Sequence, residues 1–173
     1  WNAGVGYESL LIANTAARNT MFGYRSFYSM DSGVEGVAFG AQSLFKYSNG
    51  GGATAVGYAA LHDMTGGDAP TAAGYLAACI SASPSNVALG SMALYNSGGD
   101  NNTAVGYQTL YSNTSGVSNT VMGYQAMYTA ADQSQNVAIG RNAMKTCTTC
   151  GLNVAVGYRV MDGVVAGHKL TAI

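Results

Sequence analysis

Three cysteines, two histidines and eight carboxylates are the side chains here that could do chemistry. Cys147 and Cys150 form CTTC, while Cys79 stands alone. A CxxC acts as a redox pair when it opens a helix beside a strand, and as half of a zinc site when a second pair exists. Neither context is present: no second pair follows, and His62 and His168 lie far away in sequence. The spacing predicts a small disulfide or a thiol pair in a surface loop, with no metal and no cofactor. Cleavage of a glycan usually needs two carboxylates about 5–9.5 Å apart. Asp68 and Asp100 fall in equivalent Gly-Gly-Asp turns two repeats apart, which parallel strand spacing converts to roughly 9–10 Å. Asp is an ordinary turn former there, no apolar pocket is evident to raise one acid, and the two histidines join no Ser-Asp partner. The chain is expected not to be an enzyme.

What positions these residues is a lattice of glycines. Gly6, Gly23, Gly40, Gly57, Gly74, Gly90, Gly106, Gly123, Gly140 and Gly157 follow one another at spacings of 17, 17, 17, 17, 16, 16, 17, 17 and 17. Each has an apolar residue just before it and nearly always a small one, usually Ala, two before; Thr or Val stands three before in nine of ten units, and Asn four before in seven. Tyr follows the glycine in seven units, and a large apolar residue recurs four after it, from Leu10 and Phe27 to Met144 and Met161. A further aromatic sits one place on at Tyr28, Phe45, Tyr95, Tyr111 and Tyr128.

The Thr/Val-Ala-Val stretch alternates and is β-branched, as a short strand should be, and the rest of each unit carries turn chemistry such as NSGGD (96–100). Two packed helices need roughly 34 residues, so a repeat half that length predicts one coil of a parallel β-solenoid, or β-roll. Ten coils at about 4.8 Å make a rod on the order of 48 Å long. The fold class expected is all-β, with 1–173 as a single repeat domain. The anchor glycine marks a bend or close approach that a Cβ would block. Valine at Gly106 or Gly123 is therefore expected to cost more than at Gly99, taken as a loop glycine. The Thr column is expected to share its strand face with a buried apolar column.

Composition narrows the function. Only 9% of residues are charged and the net charge is −1, against nucleic acid, whose backbone demands Lys and Arg. No apolar run approaches the roughly 18 residues of a spanning helix, so no membrane insertion is expected. Apolar columns outnumber what so small a coil can hold, so some must face outward, and burial against copies in a closed oligomer is the economical solution. Counted from Gly157, the next anchor would fall at 174, while the chain closes on LTAI. With no polar caps in view, the expectation is a segment of a longer fibre, or a filament subunit joining end to end.

The strings NVAIG (136–140), NVALG (86–90) and NTAVG (102–106) resemble the head-domain repeats of trimeric autotransporter adhesins, and more closely the NTAVGYxAL repeats of phage and algal-virus tail-fibre proteins. The resemblance implies a left-handed β-roll, three chains side by side, and attachment to a host or surface receptor from outside the cell, on a cell surface or a virion. This chain differs in its longer coil and in the Tyr after the glycine. The receptor would be a glycan or a protein, read by loops, which vary between coils. The loop candidates are His62 and Asp63 in HDMTGGD (62–68), and Lys145 and Thr146 in KTCTTC (145–150). An ice-binding solenoid is the alternative, with Thr20, Thr54, Thr71, Thr103 and Thr120 in one column interrupted by Val37, Val87, Val137 and Val154.

Overall fold

The triplet before each glycine becomes a strand, and the strands stack in chain order. The computed structural model describes residues 1–173 except 14–16, 31–34, 49, 68, 82, 84 and 165. An eleven-stranded parallel sheet runs from Ala3–Val5 through Thr103–Val105 and Thr120–Met122 to Thr171–Ala172, its strands in chain order and each joined to the next by a crossover around the rest of the coil. Register follows the repeat: Thr103 pairs with Thr120, Ala104 with Val121 and Val105 with Met122. A second, six-stranded sheet runs from Ile12–Ala13 to Asn96–Ser97, and Thr149–Gly151 pairs with Ala166–His168 further along. The chain is a parallel β-solenoid with about 17 residues per turn.

The two shorter spacings fit without breaking either sheet. Thr71, Val87 and Thr103 pair in line at intervals of 16, while Ile80 pairs with Asp63 on one side and Asn96 on the other. The omitted residue therefore comes out of the arc that leads from the second sheet back to the first, and Asn102 N–H still donates to Asn86 Oδ1 across the shorter spacing.

Inside the tube, from Thr20–Phe22 to Val154–Val156 of the first sheet the middle residue is buried and usually small, as at Ala38, Ala55, Ala88, Ala104 and Ala138, with Met21 and Val121 the larger exceptions. Opposite it stand Phe27, Leu44, Leu61, Leu94, Leu110, Met127 and Met144, all 0–1% exposed. These large residues all have φ between 46° and 51°. Left-handed backbone also occurs two residues after each glycine, at Gln42, Gln108 and Gln125, and five before it, at Arg18, Ser118 and Gln135. Such a conformation is an outlier for a β-branched side chain. Across these three columns the chain uses Leu, Met, Phe, Gln, Arg, Ser and similar residues, and never Val, Ile or Thr.

The anchor glycines are held by their neighbours. A Cβ on Gly123, at φ +134, would collide with the carbonyl oxygen of Gly140, and Gly57 stands in the same relation to Gly74. Gly99 corrects the sequence expectation: it is buried, and a Cβ there would collide with the Gly116 carbonyl. It belongs to a second close-packed column and is no neutral loop position. Gly66, with nothing within 4 Å of its would-be Cβ, is the neutral one.

Candidate functional site

A three-residue strand with its middle residue pointing inward must show its other two to solvent. The residue before each glycine therefore faces outward, which corrects the expectation that this column is buried. Val5, Phe22, Phe39, Val56, Met122 and Ile139 are all more than a third exposed. Phe22 and Phe39 stack at 5.1 Å. The Thr/Val column shares this face, since Thr20 and Val37 flank the same inward residues as Phe22 and Phe39. None of the eleven strands carries a charged side chain. The result is an exposed, charge-free sheet face as long as the rod.

Beyond the glycine bend, the tyrosines form an exposed ladder. Tyr7 stacks on Tyr24, Tyr58 on Tyr75 and Tyr107 on Tyr124, with centroids 5.8, 5.5 and 5.3 Å apart. It is broken at Ala41, Ser91 and Arg141. A half-buried ladder four positions on stacks Tyr28, Phe45 and His62 at 4.8 and 4.7 Å, and then Tyr95, Tyr111 and Tyr128 at 5.1 Å each. Cys79 separates the two halves of that stack. Burial, with the Asp63 charge nearby, pushes its thiol up to about 11, so it stays protonated and unreactive. Tyr95 is also raised, chiefly by burial.

The four loop candidates do not form one site. His62 is a rung of the inner ladder, and its Nδ1 lies 3.1 Å from an Asp63 oxygen. Asp63 begins a strand and sits 3.6 Å from Lys46 Nζ, a separation of ion-pair but not hydrogen-bond range. Lys145 lies in the column of His62, over the Tyr128 ring, while the Thr146 hydroxyl donates to Asp162 Oδ1 at 3.1 Å. Five coils, roughly 24 Å by strand spacing, part the two pairs. What could have placed His62 is its position, five after Gly57, where five other coils carry Tyr or Phe.

Cys147 and Cys150 are joined as a disulfide, with Cα atoms 6.0 Å apart. Asp68 lies outside the described residues, so the Asp68–Asp100 pair has no geometry here. Between the 132–135 loop and Thr149–Leu152 is a pocket of about 340 Å3 that His168 also lines. Gln133 belongs to its wall, but its amide atoms are sealed from solvent and lack hydrogen-bond partners, so they are not presented to a ligand. Elsewhere, the Arg25 guanidinium donates to Glu8 at 2.6 Å and holds that carboxyl below its ordinary value, while the same Glu8 raises Tyr7. Asp162 likewise raises Arg159.

Among the described residues no three metal-capable side chains come together, and no helix is long and apolar enough to cross a membrane. What the arrangement offers is a long apolar face and two aromatic ladders. No protein-family model, curated protein or solved structure matches this chain.

Proposed function

We propose that this chain is a structural and adhesive fibre segment, working outside the cell on a surface or a virion, that associates side by side with copies of itself. The observation that carries the reading is the sheet face: eleven strands without one charged residue, its apolar column exposed or half-exposed from Val5 to Ile139. Apolar stripes of that length seldom stay in water. The stripes repeat at the strand pitch, about 4.8 Å, so the surface that matches them over their whole length is one with the same pitch. A second copy of the chain supplies it, and closed cyclic symmetry, with three chains preferred, leaves no copy with an open face. The aromatic ladders and loops lie past the bends and remain free for a receptor.

Light scattering tests this directly. A mass near three chains is expected, falling to one chain when Val105 and Ile139 are both replaced by Glu. A wild-type protein that stays monomeric at millimolar concentration overturns the association. Open polymers would favour end-to-end filaments.

One observation favours ice binding as a second reading. Thr20, Thr54, Thr71, Thr103 and Thr120 are on the outward face, with Thr171 continuing the column. Thermal hysteresis at micromolar concentration by a monomer would select it.

A further inference from the structure

The exposed tyrosine ladder is interrupted three times, and the three breaks are filled differently. At Arg141 the guanidinium lies between the flanking rings, 5.4 Å from the Tyr124 centroid and 5.9 Å from that of Tyr158. This break is two coils tall, and one flat cation occupies it, attracted to both ring faces. At Ala41 and Ser91 the side chain is too short to reach between the rings. Tyr24 faces Tyr58 across the first break and Tyr75 faces Tyr107 across the second, each pair two strand spacings apart, roughly 10 Å. All four rings are between 42% and 50% exposed, so both slots are open to solvent.

We infer that the slot over Ser91, walled by Tyr75 and Tyr107, is a binding site for the guanidinium of an arginine presented by a partner protein. Arg141 supplies the pattern, since the chain fills an equivalent break with that group. The floor adds chemistry, because the Ser91 hydroxyl is an acceptor placed where Arg141 has its own stem. The surroundings are neutral: the neighbouring column carries Leu76, Met92 and Gln108, with Gln108 Nε2 3.6 Å from Met92 Sδ. The Ala41 slot has no hydroxyl, and the Arg25 guanidinium already lies 5.0 Å from the Tyr24 centroid. Glu8 neutralises that guanidinium, but Arg25 already occupies the Tyr24 ring as a cationic partner, so the two slots differ in strength. The site names the chemistry of a receptor contact but does not depend on association through the sheet face, and the mass of each sample reports that separately.

The test is a titration with N-acetyl-arginine amide, followed by the ring signals of the tyrosines in an NMR spectrum, with N-acetyl-lysine amide and a methyl glucoside as competing probes. Saturable shifts at Tyr75 and Tyr107 are expected from the arginine probe, with shifts at Tyr24 and Tyr58 about fivefold weaker. Ser91→Arg plugs the slot from within and abolishes the effect, and its melting temperature shows whether it folds. Tyr107→Leu, which removes one wall, weakens binding about fivefold, the worth of one cation–aromatic contact near 1 kcal/mol. Equal shifts at every exposed tyrosine, persistence in Ser91→Arg, or a response to the glucoside and not to arginine would each overturn the assignment.

Discussion

One tube is filled in two ways. From Asn86 to Asn153 a ladder of buried asparagines runs through the solenoid: each side-chain oxygen accepts the backbone N–H of the next, as Asn102 does from Asn119 and Asn119 from Asn136. Their amides also cross the interior, Asn119 Nδ2 reaching Gln133 O at 2.7 Å and Asn136 Nδ2 reaching Cys150 O at 3.0 Å. In the three coils where Gly36, Ala53 and Pro70 replace Asn, the ladder stops and rings take the space. Phe27 and Tyr47, both essentially inaccessible, meet edge to face at 6.2 Å, with Met64 beside them in the same core. The exchange is coordinated, because a Cβ on Gly36 would collide with Phe27 Cζ and one on Gly50 with the Tyr47 hydroxyl. The first sheet runs unbroken through both blocks, while the second ends at Asn96–Ser97 as the asparagine filling takes over. At the other boundary the two fillings meet, since Gly36 N–H donates to Asn19 Oδ1 and Gly36 also lies against Phe27.

Substitutions test that separation. The largest effect is expected where the blocks are alike. Gly57→Val in the ring-filled block and Gly123→Val in the Asn block should each cost upwards of about 4 kcal/mol, while Gly66→Val stays within about 0.5 kcal/mol. Unequal costs for the first two in urea melts would mean that the glycine bend itself depends on the filling and on the second sheet. Next, Tyr47→Ala should cost about 3–5 kcal/mol through the cavity it leaves. Asn119→Ala comes third, at about 1–3 kcal/mol, because it strands the buried Asn136 N–H. If Asn119→Ala proves the worse of the two, the hydrogen-bond ladder and not the aromatic filling is the stronger element. The smallest effect belongs to Glu8 and Arg25, outside both blocks. Arg25 depresses the Glu8 carboxyl, so the pair's contribution is present above the ordinary Glu range and is lost as pH falls through the lowered folded value. Acid melts should show a slight loss of stability that Glu8→Gln lacks.

Much of this was legible in the residues. The glycine lattice predicted coils, parallel stacking and the excess of apolar columns. The facing of the column before glycine was not legible, because a Val or Phe in a strand reads as core unless the strand is known to be three residues long, when one residue points in and two point out. His62 was read as a loop residue because its neighbours Asp63 and Met64 precede a Gly-Gly turn, yet its column is aromatic. The CxxC spacing allowed the disulfide but left a free thiol pair in a surface loop equally open, and it did not show that both cysteines are buried. The column of Arg141, directly after Gly140, was legible, but the seating of its guanidinium between Tyr124 and Tyr158 depends on the side-chain conformation and needed coordinates.

The left-handed corners described above have a consequence for how such a chain drifts. In the genetic code, a methionine codon is one base from isoleucine, valine and threonine, and most leucine codons are one base from valine or isoleucine. Met127, Met144, Leu94 and Leu110 are therefore a single miscopied base away from side chains that their φ near +50° excludes. Hereditary damage should concentrate at these corners, while the strand residues beside them exchange Val, Ile and Thr freely.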